Sequence, residues 1–319
     1  MPLLDLDKIT KDLPTIWDGY LRDWDRTLRS ANRPETTRYN YLLGASQLAS
    51  YLAEYSPDPD ADAAAADPTE VTRAHIEHFQ AWMIQTRSAA TAINKYKVLK
   101  QFFTWLRDDE EDIDHHPMER VKLPKAPKKL VPIMRDGETK ELLAKCRGKS
   151  FVALRDEAII RLYYSTGARL SEVANLELGD LDEKTDSVLY HGKGAKDRRV
   201  RYPERTARAL TRYLRARAKH KHADLKTLWL AERGRRPLQA NGIKIMLKRR
   251  GERAGLGRVH AHRWRHNYAH EFKRRGGDTG DLMILLGWST EAMPRHYGES
   301  AAAERAEEAQ LRIGVGQNV

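Results

Sequence analysis

In 319 residues the chain has one cysteine, Cys146. A lone thiol closes no internal disulfide and cannot found a multi-cysteine zinc site, which excludes a disulfide-stapled secreted scaffold. Long apolar runs are missing too: no stretch approaches the roughly 20 residues that a membrane helix needs. The opening Met1-Pro2-Leu3-Leu4-Asp5 lacks the basic-then-apolar order of a secretory signal. No internal repeat is visible. The expectation is a cytoplasmic protein with no membrane role, long enough for about two domains that each bury a core.

Charge is abundant, and it is unevenly spread. Against a net of +12, residues 1–117 carry 13 Lys/Arg and 20 Asp/Glu, a net of −7. Residues 118–319 carry 44 and 25, a net of +19. A surplus that large favours a polyanionic partner, because each phosphate neutralised releases condensed counterions. It speaks for attraction to nucleic acid and says nothing about chemistry on it. Twelve of the twenty N-terminal acids fall in two runs, residues 54–70 and 108–114, so the helices between them are free to face DNA.

Apolar periodicity predicts a helical first domain. Trp17, Tyr20, Leu21, Trp24 and Leu28 recur at helical spacing, as do Tyr41, Leu42, Ala45, Leu48 and Leu52, with Pro34 marking a fresh start between them. An acidic, alanine-rich loop is expected to run to Asp67, followed by a helix opening at Pro68 and another over about 88–106. Four amphipathic helices with short connections suggest a small bundle. Lys95, Lys97 and Lys100 lie on the last of these. Residues 118–129, with Lys122, Pro124, Lys125 and Pro127, are too rich in proline for a helix and too basic for burial, so they read as an extended cationic strap. The second domain, residues 130–319, is expected to mix helices (136–146, 151–166, 206–219, 238–254 and 301–311) with one strand pair, 187–190 and 199–202. The domain limits are thus 1–117, 118–129 and 130–319. The fold class is mainly α (α+β): an N-terminal helical bundle plus a C-terminal mixed domain with a small antiparallel sheet. Lys244, Lys248 and Arg249 make the 238–254 helix strongly basic.

The chemistry concentrates in residues 259–298. His262 and Arg265, three apart, suit a phosphate: the guanidinium fork matches phosphate oxygens, and imidazole moves a proton near neutral pH. Tyr297 follows as a possible nucleophile, and Gly167-Ala168-Arg169-Leu170-Ser171-Glu172 stands upstream. Together these boxes resemble the catalytic motifs of the tyrosine recombinase (phage integrase) family. The likeness spans about residues 16–297. It implies that Arg169 and Arg265 hold the scissile phosphate, that His262 is an acid/base group and that Glu172 steadies a neighbour. It further implies that Lys193, in the Gly192-Lys193-Gly194 turn, protonates the leaving oxygen, with Lys196 as the competing choice. Trp288 stands where most members have histidine; its indole N–H can donate to phosphate but cannot shuttle a proton. Tyr297 is singled out among many tyrosines by its nine-residue step from Trp288.

The family also implies a C-shaped clamp on double-stranded DNA, with residues 88–106 similar to the last helices of its core-binding domain. Cleavage would pass through a 3′-phosphotyrosine with no metal or ATP, and a homo-tetramer would assemble through the tail after Tyr297. Two rival readings compete. His262, His266 and His270 recur at i, i+4 and i+8, as ligands of a metal-dependent phosphodiesterase would. Arg263 replaces the glutamate of a His-Glu-x-x-His motif, however, and Arg265 would repel a cation. A non-catalytic DNA-binding protein would have no reason to assemble Tyr297 with two arginines.

Overall fold

The computed structural model describes residues 4–127, 134–192, 197–291, 293–294, 306–307 and 309–314. The chain divides into two compact units, Met1–Lys128 and Lys129–Val319.

The first unit is helical throughout: α1 (Leu6–Thr10), α2 (Thr15–Ser30), α3 (Glu35–Glu54), α4 (Ala61–Ala66), α5 (Arg73–Thr86) and α6 (Ala89–Asp108). Pro14 and Pro34 immediately precede α2 and α3, where the fixed proline φ suits the entry and the missing N–H costs nothing. Ser88 caps α6, its hydroxyl accepting from the Thr91 amide at 3.1 Å. Of the periodic residues of α2, Trp17, Leu21, Trp24 and Leu28 are buried and Tyr20 is partly exposed at the edge of the core. Trp17 and Trp24 pack on Phe102 of α6 with ring centres 5.7 and 5.1 Å apart.

Two expectations need correction here. The acidic loop contains α4, because Ala61, Ala64 and Ala65 are small enough to lie against the bundle, and the Ala64 carbonyl accepts from Trp17 Nε1 at 3.1 Å. The strap is tied down at its start: Met118 and Val121 are apolar and join the first core. Tyr96 Oη donates to the Val121 carbonyl (3.1 Å) and Gln80 Nε2 to that of Lys122 (3.0 Å).

The second unit runs α7 (Asp136–Ala144), α8 (Phe151–Thr166), α9 (Leu170–Ala174), β1 (Leu181–Asp182), β2 (Ser187–Tyr190), β3 (Arg198–Arg201), α10 (Glu204–Ala218), α11 (Ala240–Arg253), α12 (Ala261–Arg274) and α13 (Thr279–Leu286). Its core gathers on α8, where Ile159, Ile160, Leu162 and Tyr163 meet Tyr213, Trp229 and Trp264. The sheet is antiparallel in the order β1-β2-β3, one strand more than expected, with Val188 opposite Val200 and Tyr190 opposite Arg198. Neither α9 nor α13 was anticipated: at five and eight residues they are too short for a periodic signal. The expected helix over 301–311 falls mostly outside the described residues. Among the described residues no helix is long and apolar enough to cross a membrane.

Candidate active site

A helix end leaves carbonyls without intrahelical partners and carries partial negative charge. At the end of α13 three consecutive carbonyls each accept from a different arginine. Leu285 accepts from Arg198 Nε at 2.8 Å, Leu286 from Arg265 Nη2, and Gly287 from Arg169 Nη2 at 2.9 Å. Gly287 ends the helix in the left-handed conformation, φ 60°. A Cβ there would stand 3.3 and 3.5 Å from guanidinium nitrogens of Arg198 and Arg169.

The arginines reach this point from separate elements. Arg169 is the N-cap of α9, two residues after Gly167, the left-handed C-cap of α8. A side chain at Gly167 would come within 2.9 Å of the Tyr268 Cβ. The Gly167 carbonyl accepts from Arg265 Nη1 at 3.1 Å. Arg265 is 1 % exposed, with its guanidinium carbon 5.2 Å from the Trp288 ring centre. The far side of α12 is fixed by α7: Trp264 Nε1 donates to Thr139 Oγ1 at 3.1 Å, and Arg263 pairs with Glu138 at 2.9 Å. Trp264 also stacks on Tyr163, ring centres 5.9 Å apart. The bulky residue beside Arg265 therefore anchors the helix and leaves it intact.

Glu172 serves two guanidiniums at once. Its Oε1 accepts from Arg169 Nη1 (2.7 Å) and Arg198 Nη1 (2.9 Å). Its Oε2 accepts from Arg198 Nη2 (2.8 Å) and from the Arg169 backbone N–H (2.6 Å). Burial alone would raise its pKa, but the bonds and charges of Arg198 and Arg169 outweigh that and hold it at about 2. Arg198 is the member the sequence reading missed. It is nearly buried, with its guanidinium 5.0 Å from the centre of the Tyr190 ring across the β2–β3 ladder.

Arg169, Glu172, Arg198 and Trp288 line one depression of about 900 Å³, together with His191 and Gly192 at the base of the β2–β3 turn. His262 opens instead on a hollow of about 310 Å³ lined by Lys244, Lys248, Arg258 and Leu170, the residue after Arg169. Its ring meets that of His266 edge-on at 4.8 Å. His266 and His270 are buried. Among the described residues no group of three His, Cys, Asp or Glu side chains is placed to hold a metal ion. Lys193, Lys196 and Tyr297 lie outside the described residues.

Each tyrosine that is described in this unit has its phenol pKa raised. Burial raises the pKa of Tyr163 and Tyr190, and takes Tyr164, Tyr202 and Tyr213 to about 12. Tyr268 is raised by burial as well.

The basic residues expected to face DNA are not all equivalent. Lys97 and Lys100 are exposed on α6, and Lys122 and Lys125 are exposed beyond it. Lys95 does not join them. It is half-buried beside Gln80 and Tyr96, and burial lowers its pKa. The cause is its place in the helix, three residues after Ala92 and four before Leu99, both core positions. Lys244 and Lys248 border the His262 hollow. Arg249 lies on the other flank of α11, facing a hollow shared with Arg236 and Arg253.

Residues 132–304 match the phage integrase family, and residues 20–113 match the N-terminal SAM-like domain of phage integrases. The tyrosine recombinase XerC of Bacillus pumilus is 32 % identical over 213 residues, which is 65 % of this chain and 69 % of that one. XerC of Bacillus subtilis is 31 % identical over 218 residues, 66 % and 70 % of the two chains. In fold, the chain resembles the XerH site-specific recombinase solved with its difH substrate after cleavage. That likeness has a TM-score of 0.72 and 18 % identity, and it covers 92 % of this chain and 84 % of the other.

Proposed function

Because the chain belongs to the phage integrase family of tyrosine recombinases, we propose that it cuts and rejoins double-stranded DNA at a specific site, one strand at a time. Tyr297 is the nucleophile. Its phenolate attacks the scissile phosphorus, the enzyme becomes linked to the 3′ end as a phosphotyrosine, and the 5′ oxygen leaves with a proton. A partner strand's 5′ hydroxyl then reverses the step. The new ester retains the energy of the phosphodiester, so the cycle needs neither ATP nor a metal.

Each residue has a task set by that chemistry. The attack adds charge to the non-bridging oxygens, which the Arg169 and Arg265 guanidiniums stabilise. A phenol of ordinary pKa near 10 attacks slowly at neutral pH. The guanidinium field lowers that pKa, and His262 takes the proton. Lys193 returns a proton to the leaving oxygen, with Lys196 second in line. Trp288 packs on Arg265 and offers its N–H. Glu172 orients Arg169. Lys97, Lys100, Lys122, Lys125, Lys244, Lys248 and Arg249 face the DNA backbone; the half-buried Lys95 does so least. The tail after Tyr297 docks on a neighbouring protomer to form the tetramer that exchanges strands, and the protein resides with DNA in the cytoplasm.

The convergence of Arg169 and Arg265 on one helix end carries this reading. The test uses nicked suicide duplexes of random core sequence, incubated with the protein in EDTA and resolved on a denaturing gel. Wild type is expected to leave a protein-linked strand and Tyr297→Phe to bind DNA without one. A persistent adduct in the variant would move the nucleophile elsewhere. Binding without any adduct from wild type would favour the non-catalytic alternative.

A further inference from the structure

Glu172 creates a difficulty for the site it supports. A buried carboxylate paired with one arginine forms a neutral couple, and a neutralised Arg169 would contribute little to a charged transition state. Arg198 resolves this. Both of its Nη atoms bond Glu172, one to each oxygen, at 2.9 and 2.8 Å. Arg169 gives the same carboxylate one side-chain nitrogen and its backbone N–H, and its other terminal nitrogen goes to the Gly287 carbonyl. The trio therefore carries a net single positive charge. Exposure decides where that charge is felt: the side chain of Arg169 is 39 % accessible and that of Arg198 is 6 %.

We infer that Arg198 is a positioning residue whose work is electrostatic: it neutralises Glu172, so that this carboxylate can aim Arg169 at phosphate without cancelling its charge. The inference rests on the recombinase reading. Arg198 is held to the task on three sides, by Glu172, by the Leu285 carbonyl and by the face of the Tyr190 ring. Without it, the remaining partner of Glu172 among the described residues is Arg169, and the pair closes on itself.

The experiment is single-turnover cleavage of the nicked duplex captured by wild type. Arg198→Gln is expected to slow adduct formation about 10²-fold, the loss typical of one transition-state contact, with little change in duplex affinity. The decisive variant is the double substitution Glu172→Gln with Arg198→Gln. Removing the stranded carboxylate releases the charge of Arg169, so the double variant should cleave about tenfold faster than Arg198→Gln alone, a coupling of opposite sign to additive damage. Rates are taken per folded molecule, because a purely structural Arg198 would be rescued through stability alone; a double variant equal to or slower than Arg198→Gln on that basis overturns the inference.

Arg198→Lys gives an independent measurement, since it keeps the charge and loses the fork. It is expected to cleave faster than Arg198→Gln and slower than wild type, because a bidentate, ring-stacked site does not take lysine as an equivalent. A folded Arg198→Lys as inactive as Tyr297→Phe would overturn the inference even if Arg198→Gln did not fold. Failure of the recombinase reading is told apart at the start, because wild type would then form no adduct.

Discussion

The two units treat buried charge differently. In Met1–Lys128 the interior is closed by rings, with Trp17 and Trp24 on Phe102, Tyr51 on Phe79, and Trp105 on Phe102. The ionisable side chains buried there, among the described residues, are Asp25, His75 and His116. In Lys129–Val319 the described interior holds Arg155, Arg198, Arg217, Arg250 and Arg265. A buried guanidinium is a poor source of stability, since desolvation consumes most of what its partners return. A bundle can be built from apolar faces alone. A unit that brings cations inside has to satisfy them. The +19 of the second half is thus partly an interior charge, which composition cannot reveal.

The interior arginines fall into two kinds, and removing one of each separates them. Arg217 is structural. Its Nε donates to the Leu228 carbonyl at 3.0 Å, Nη1 to Ala223 at 3.2 Å, and Nη2 to Leu225 and to Thr227, the latter at 2.7 Å. It shapes the loop after α10 far along the chain from the α13 carbonyls. Arg217→Met should lower stability by about 2–3 kcal/mol, as buried carbonyls lose their donors. Cleavage per folded molecule should be unchanged. Urea denaturation beside adduct titration checks both, and a selective loss of cleavage would erase the distinction.

A smaller loss of stability with a larger loss of function is expected at Gly167. Alanine there meets a left-handed backbone and the Tyr268 Cβ, and about 1–2 kcal/mol is the usual cost of that conformation for a residue with a side chain. The Gly167 carbonyl would shift and carry Arg265 with it. Adduct formation should fall at least about tenfold, because displacements of about 1 Å are costly in a preorganised site. Normal cleavage in a destabilised Gly167→Ala would mean that this hydrogen bond does not place Arg265.

The same contrast explains what could be read from sequence. The ring-lined helices were legible because periodicity reports an apolar face directly, and Trp17, Leu21, Trp24 and Leu28 all lie where their spacing put them. The boxes around Arg169 and His262 were legible by resemblance. Lys95 could have been set apart from Lys97 and Lys100, since its offsets from Ala92 and Leu99 place it on the apolar face. Arg198 could not be given its partner. It is one of two adjacent arginines on a four-residue strand; alternation puts it on the buried face of Val200, but nothing in residue type says that this face meets Glu172. The α13 carbonyls were equally invisible, because an acceptor on the backbone leaves no mark in residue type.

The smallest predicted effect is one of sign. His116 belongs to the ring-lined unit, where its Nδ1 accepts from the Met118 amide at 3.0 Å. Protonating that nitrogen would break the bond, and burial already lowers its pKa below the ordinary 6.5. With the folded value depressed, the stability it contributes is present above about 6.5 and is lost as pH falls through the folded pKa. His191 belongs to the charged unit and sits between carboxylates, Nδ1 2.9 Å from Asp197 and Nε2 3.0 Å from Asp180. Only imidazolium can donate to both, and those two hydrogen bonds raise its pKa above 6.5. Its contribution is therefore complete below about 6.5 and lost as pH rises through the folded pKa, loosening the contact of His191 with Asp180 and Asp197. Histidine NMR titrations should place the two on opposite sides of 6.5, and Asp197→Asn should lower the His191 value while leaving His116 unmoved. Coincident titrations would mean that the two units do not differ in how they hold a proton.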